Sequence, residues 1–332
     1  MVRGLFPFLG FSAANLPVPN GGSSVRQVSV ARNCRLGQPV SGYYARRMQS
    51  DSGRSGTAEV VAVLRAAAAR DSVLRNPDRF AERLISPWYR WGLRISLVRA
   101  GLLWAAEQQA PGLYAYVTAR TKYFDRVIVG EIRSGAEQVV ILGAGADSRA
   151  QRLPELRSVA VYELDHPATA EWKQRRLRAA FGAVPAQVRY VPVDFGNQSL
   201  DDVLDAAEVA RDRRTIFLWE GVAPYLTHAE VDVTLTAIAR FRAGSGVVFD
   251  YWDQGAIDEP SRYPGAAEYL RRLAARGEPI RSGLDPKALA DHLTAHGLKL
   301  VDNAGPRELD EYLTGSGRTS LSFCWMAHAR VR

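Results

Sequence analysis

The sequence predicts an α/β protein on a doubly wound, largely parallel sheet, and three observations carry that prediction. Short apolar runs alternate with helical text from about residue 138 to the C-terminus, the pattern of strands joined by crossover helices. One run, Val139-Val140-Ile141-Leu142, leads straight into Gly143-Ala144-Gly145-Ala146-Asp147-Ser148-Arg149. A buried strand followed by two glycines one residue apart is a nucleotide-handling turn, since glycine tolerates the sharp bend and lets backbone approach a ligand. Acids stand just after four of the strands, at the carboxyl ends where such sheets bind ligands.

Taken in order, residues 1–50 are rich in Gly, Ser, Pro, Asn and Arg without helical or strand periodicity, and are expected to be a flexible arm. Met48 offers an alternative start. The arm's arginines and serines superficially suit a transit peptide, but no amphipathic helix accompanies them. Residues 51–135 read as a helical cap: helix formers run from Ala58 to Ala69, and mostly helical text continues over 78–132. That text carries Trp88, Tyr89, Trp91, Trp104, Tyr114 and Tyr116, either core packing or a cover over a substrate pocket. Residues 136–332 form the core. Strands are expected at Val159–Leu164, Val188–Val193, Ile216–Trp219, Gly246–Tyr251, Lys299–Val301 and Ser320–Ala329, with helices at Ala168–Ala180, Ala229–Phe241 and Pro286–Ala295. Asp285 is expected to cap the last helix, with Pro286 at its first position and Gly297 past its end. Residues 254–284 are longer than an ordinary connection and are expected to form a lid insertion.

Composition removes several function classes. No apolar segment approaches the roughly 18 residues a membrane helix needs. Cys34 and Cys324 are the only cysteines, too few for a disulfide framework or a cysteine-based zinc site, and they suit a reducing, cytoplasmic setting. No metal site is expected. Of the net charge of +8, six arginines in the acid-free residues 1–50 account for all but +2. A nearly neutral body lacks the electrostatic footprint of a nucleic-acid-binding domain, and Arg175-Arg176-Leu177-Arg178 reads as a solvated helix face.

The glycine turn itself narrows the ligand. A dinucleotide fingerprint would place its third glycine where this chain has Ser148, beside Asp147. The turn therefore argues for a nucleoside other than NAD. Asp165 follows Gly143 by 22 residues, near the spacing at which an acid meets ribose hydroxyls, with Glu163 as the competing acid. Asp194-Phe195 suits an adenine, the acid accepting from the exocyclic amine while Phe195 lies against the base. Glu220 ends the loop-ward run Trp219-Glu220-Gly221, and Tyr225 follows on the same loop.

These segments resemble the leucine carboxyl methyltransferase family, within it the bacterial branch linked to polyketide and other secondary-metabolite methylation. The likeness rests on Ala119–Asp125, Gln138–Leu153, Tyr162–Pro167, Tyr190–Phe195, Trp219–Leu226 and Val247–Tyr251. It runs from about residue 57 to the C-terminus. The resemblance implies a class I methyltransferase, with a seven-stranded Rossmann-like sheet whose final strand is antiparallel, and S-adenosylmethionine (SAM) as donor, leaving S-adenosylhomocysteine. It implies that Arg120 pairs with the donor's methionyl carboxylate, that Gly143, Gly145 and Asp147 form the turn beside it, and that Asp165 holds the ribose. Asp194 and Phe195 then match the adenine site, and Glu220 the acid near the sulfonium. The family commonly has threonine where this chain has Ser148, which keeps the hydroxyl.

Methyl transfer from sulfonium is an in-line displacement that depends on positioning. A carboxylate acceptor needs no base, a hydroxyl benefits from one, and an alkene or aromatic carbon needs stabilisation of the resulting cation. The expected function is O-methylation of a small, apolar secondary metabolite. C-methylation of an alkene or aromatic carbon of a hydrophobic acceptor, for example a prenylated one, is the first alternative. An NAD(P)-linked oxidoreductase and a catalytically idle SAM-binding scaffold are others. Tyr225 is the leading acceptor-side residue, with Glu220 beside it as a further catalytic candidate. Tyr251, Asp253 and His166 also stand near strand ends, His166 rather as a helix cap.

Overall fold

The computed structural model describes residues 56–194 and 198–332, so the expected arm at 1–50 and the adenine-side Phe195 lie outside the described residues. Helices come first: α1 (Gly56–Ala69), α2 (Ala81–Leu84), α3 (Pro87–Gly92), α4 (Ser96–Gln109) and α5 (Leu113–Arg133). Alternation follows, with β1 (Gln138–Leu142), α6 (Arg149–Arg152), β2 (Ala160–Asp165), α7 (Pro167–Phe181), β3 (Val188–Pro192), α8 (Leu200–Ala206) and β4 (Thr215–Trp219). The chain ends with α9 (His228–Ile238), β5 (Gly246–Trp252), α10 (Gln254–Asp258), α11 (Ala266–Ala275), α12 (Leu289–Ala295), β6 (Leu298–Ala304), α13 (Pro306–Glu311) and β7 (Cys324–Val331).

The described strands form one seven-stranded sheet in the order β3-β2-β1-β4-β5-β7-β6. β1 to β5 run parallel, and β7 runs antiparallel to both β5 and β6. The order reverses between β1 and β4. Side chains alternate across the sheet: Val140, Phe217, Phe249, Tyr251 and Ala329 pack into one apolar cluster with Val231 and Leu235 of α9 and Leu289 and Leu293 of α12. Asp250 lies between Phe249 and Tyr251 in β5, so it faces the other way, toward α5. β1 and β4 are buried along their whole length, as a parallel sheet covered on both faces requires.

Local rules explain most boundaries. Thr227 and Glu230 close a capping box at the start of α9, satisfying two amides that the first turn cannot. Two expectations shift. Helix α12 begins at Leu289 rather than Pro286, because the Asp285 carboxylate accepts from the Lys287 amide and makes a separate turn first. The final strand begins at Cys324 rather than Ser320, whose amide is held by Asp310 instead.

Candidate active site

The parallel register fixes where the acids stand. Leu142 pairs with Leu164, and Trp219 with Phe249, so Asp165, Gly143, Glu220 and Asp250 fall in one row along the carboxyl edge. Asp194 continues the row two residues past Pro192, the partner of Asp165. The glycine turn closes that edge. Gly143 has φ +67° and Gly145 φ +46°, left-handed values that glycine adopts without strain. A Cβ at Gly143 would lie 2.6 Å from Val222 on the neighbouring loop, so its side-chain position is filled by packing from β4's loop. The helix that follows, α6, is four residues long.

Two arginines tie the row together. Arg149, fully buried, donates from Nε to Asp125 at 2.9 Å, meets Glu220 through Nη2 at 2.7 Å, and pairs through Nη1 with Asp147. Arg120 stands 3.1 Å from Glu220 through Nε and donates through Nη1 to Asp250 at 2.8 Å. Tyr116, one turn before Arg120 on α5, donates its hydroxyl to the same Asp250 oxygen at 2.8 Å. The other Asp250 oxygen accepts from the Gly221 amide at 2.5 Å. Behind them, Arg152 forks Asp125 at 2.5 and 2.6 Å, and Ser148 donates to buried Asp78 at 2.6 Å. Buried charges persist where partners of this kind satisfy them.

These partners set the protonation states. Burial pushes the Asp147 carboxyl up, but Arg149, followed by Lys173 and Arg65, outweighs it and holds it at about 2. Glu220 is likewise pushed up by burial and brought below the usual range by Arg149 and Arg120. A carboxylate clamped by two guanidiniums is a poor proton acceptor, so Glu220 acts here as fixed negative charge rather than as a base. Asp165 goes the other way: burial raises its carboxyl above the ordinary range, although the Gly145 and His166 amides that it accepts from work against that.

The structure separates several residues that the sequence placed side by side. Glu163, the rival of Asp165, is buried one pleat before the edge and pairs with Lys173 at 2.6 Å. His166 caps α7, its Nδ1 accepting from the Ala168 amide at 3.3 Å. Tyr251 lies on the opposite face and donates to Asn303 at 2.8 Å. Asp253 caps α10 and accepts from Tyr263 at 2.9 Å. Asp194 is half-buried beyond β3, its amide held by Gln198 at 3.0 Å.

Tyr225 sits in a 3-10 turn over Ala223–Tyr225, beyond Glu220. Burial lifts its phenol well above the ordinary range; Tyr269 and Glu278 add to the rise, while Arg120 opposes it. Tyr116 and Tyr269 are raised for the same first reason. Residues 254–284 leave and rejoin the sheet at one point, where the Gln254 amide donates to Leu284 and the Leu284 amide to Trp252. Their far end meets the cap, with Arg276 donating to Gln109 of α4 at 3.0 Å. Tyr269 of α11 stacks on Trp252, ring centroids 5.6 Å apart. The aromatic stretch of the cap divides: Tyr114 and Tyr116 are buried, whereas Trp88, Trp91 and Trp104 are exposed.

Asp250 is the site residue that sequence reasoning missed. Its signal was a single charge inside Val247-Val248-Phe249-Asp250-Tyr251, where burial demands a cationic or hydrogen-bonding partner.

The sequence profile of the leucine carboxyl methyltransferase family matches residues 58–239. The chain belongs to the leucine carboxyl methyltransferase family. It is 32% identical over 224 residues to YktD of Bacillus subtilis (strain 168), a protein named for S-adenosyl-L-methionine-dependent methyl transfer, covering 67% of this chain and 72% of YktD. A similarly named protein of Mycobacterium avium (strain 104) is 38% identical over 197 residues, covering 57% of this chain and 61% of that protein. Among solved structures, a DUF574-family protein from Streptomyces avermitilis shares the fold at a TM-score of 0.56 and 16% identity, covering 85% of this chain and 99% of that one. The protein is thus a SAM-dependent methyltransferase on a class I fold, and the oxidoreductase alternative falls. Among the described residues, no helix is long and apolar enough to cross a membrane.

Proposed function

We propose that this methyltransferase acts on a small apolar acceptor of secondary metabolism, on the oxygen of a carboxylate or hydroxyl. The donor would lie along the carboxyl edge, held by Arg120, Gly143, Gly145, Asp147, Asp165, Asp194 and Phe195, with Glu220 beside its sulfonium. In this reading residues 51–135 and 254–284 supply the acceptor side, residues 136–332 the donor side, and residues 1–50 an arm outside the chemistry.

The observation that carries the reading is the row of acids with Arg120 set into it. Arg120 donates through Nη1 to Asp250 and lies 3.1 Å from Glu220 through Nε, which meets no acceptor with hydrogen-bond geometry among the described residues. A guanidinium oriented by two acids is suited to receive a further carboxylate. Asp147, Glu220 and Asp250 outnumber Arg120 and Arg149, so the immediate lattice is anionic, which favours a cationic ligand. Asp165 is half-buried with its carboxyl raised, and hydroxyl donors from a ribose would relieve that cost.

SAM, when bound, supplies a methyl group on positively charged sulfur. The chain's own part is to align and to desolvate: Arg120 and Asp165 fix the donor's two ends, and Glu220 and Asp250 lay negative charge along the edge. Tyr225 stays protonated and serves as a hydroxyl donor to the acceptor, not as a base. This suits a carboxylate acceptor, which carries its own negative charge and needs no proton removed.

The test is calorimetric titration with SAM, followed by mass spectrometry of a panel of hydrophobic acids, phenols, alkenes and peptides. Methyl esters or ethers of the small molecules are expected. Methylation of the peptides alone, or of carbon alone, overturns the acceptor assignment.

A further inference from the structure

We propose that Asp232, His292 and His296 bind a divalent transition-metal ion of the zinc type, clamping helix α9 to helix α12. The three ligand atoms lie within 4.8 Å of one another. His292 stands 3.2 Å and His296 3.3 Å from Asp232 Oδ1, each through Nε2. Two ligands bound to zinc at about 2.0–2.1 Å and spread at the tetrahedral angle are about 3.3 Å apart. The spacing is therefore that of a coordination edge. The two histidines are four residues apart along α12 and its last turn, which puts both rings on one face.

Hydrogen bonding points the same way. The Thr236 hydroxyl donates to the Asp232 carbonyl at 2.8 Å, and a hydroxyl has one proton to give. Toward His296 Nδ1, 3.0 Å away, it must accept, so Nδ1 carries the ring proton. In the neutral ring, Nε2 then presents a lone pair to a carboxylate oxygen. Two acceptors at that distance need a cation between them. His292 Nε2 and Asp232 Oδ1 are buried atoms that, among the described residues, no partner meets with hydrogen-bond geometry. Two imidazoles and one carboxylate suit zinc and its neighbours in the series, and Thr236 supplies the outer-shell bond that orients one ligand. The side chains are 20 to 39% exposed, enough for an ion to enter and for water to complete its shell.

The clamp would brace the base of the insertion. His228, one turn before Asp232, lies 3.0 Å from the Gly283 carbonyl and 3.2 Å from Gln254 Oε1, the two ends of residues 254–284.

The decisive measurement is calorimetric titration of the tag-free full chain with zinc chloride, together with thermal unfolding in zinc and in EDTA. One zinc per chain is expected, with an unfolding midpoint raised by zinc and returned by EDTA. The near-isosteric Asp232→Asn should weaken binding at least tenfold, Thr236→Val about 10- to 100-fold, and His292→Ala/His296→Ala should abolish it. Cobalt should give visible absorption bands that the double variant lacks. Far-UV circular dichroism establishes that each variant is folded. Absence of stoichiometric zinc binding overturns the proposal, as does undiminished zinc binding in the folded double variant or in Asp232→Asn. The cluster would then be a proton-bridged contact between helices.

Discussion

The carboxyl edge proposed to hold the donor and the region proposed to hold the acceptor are built from different materials. On the edge, Arg120 and Arg149 are held by Asp125, Asp147, Glu220 and Asp250 at 2.7 to 3.1 Å where the contact is of ordinary length. Those groups come from β5, the long helix α5, the glycine turn with the start of α6, and the loop after β4. The proposed acceptor side rests on a 3-10 turn and the ten-residue helix α11, and its polar groups are the phenols Tyr225 and Tyr269. A fixed lattice of charge suits one invariant ligand, since it costs no reorganisation when that ligand arrives. Aromatic surfaces on short elements accept many shapes. The proposed division would set the chemistry of the donor in the part that cannot vary cheaply, and the choice of acceptor in the part that can.

The largest effect should come from breaking the lattice at its centre. Arg149→Met leaves buried Asp147 and the half-buried Asp125 and Glu220 without their shared cation, and removing one partner of a buried pair costs about 3–5 kcal/mol. Urea unfolding should show a loss of that size, whereas Tyr269→Phe on the acceptor side should cost less than about 1 kcal/mol. Equal losses at the two sites would remove the distinction between them.

Next comes the donor itself. Arg120→Ala should weaken SAM about 100-fold in calorimetry, or about 2.7 kcal/mol, within the range for truncating a buried charge partner. Unchanged affinity would mean that Arg120 serves only Asp250 and Glu220. Asp165 gives the pH dependence. Its carboxyl lies above the ordinary range in the folded protein, and only the ionised form accepts from two hydroxyls. SAM affinity should therefore be full at neutral pH and fall on acidification, beginning above the ordinary aspartate range near 3.9. Asp165→Asn should be weak throughout, with that step absent from its titration.

How much of this was legible in the sequence depends on how far apart the cooperating residues lie. The strand, the two glycines and the acids after β2, β3 and β4 are local patterns, and the parallel register then brings them into one row without further information. His166 as a cap and the single departure and return of residues 254–284 follow from the same local logic. Asp250 was only half legible, since its burial could be inferred but not its partner. The pairing of Arg149 with Glu220 and of Ser148 with Asp78, 71 and 70 residues away in sequence, exists only after folding. The Asp232–His292–His296 cluster joins two crossover helices 60 residues apart in sequence, which is why no metal ligands were expected. Boundaries moved where a turn intervened, as at Asp285 before α12.

The smallest predicted effect is also the sharpest probe of the acceptor side. Burial raises the Tyr225 phenol well above its ordinary range, so the role proposed for it is to donate one hydrogen bond to the group receiving the methyl. Loss of such a bond costs about 1–1.5 kcal/mol. Tyr225→Phe should therefore lower kcat/KM for the acceptor about tenfold while the Kd for SAM stays within twofold. Because no proton is taken by Tyr225, the pH profile of kcat should keep its shape in the variant. Loss of a basic limb would show that Tyr225 ionises during the reaction, which would favour a hydroxyl acceptor over a carboxylate. A fall in SAM affinity would instead place Tyr225 on the donor side of the boundary drawn through Glu220.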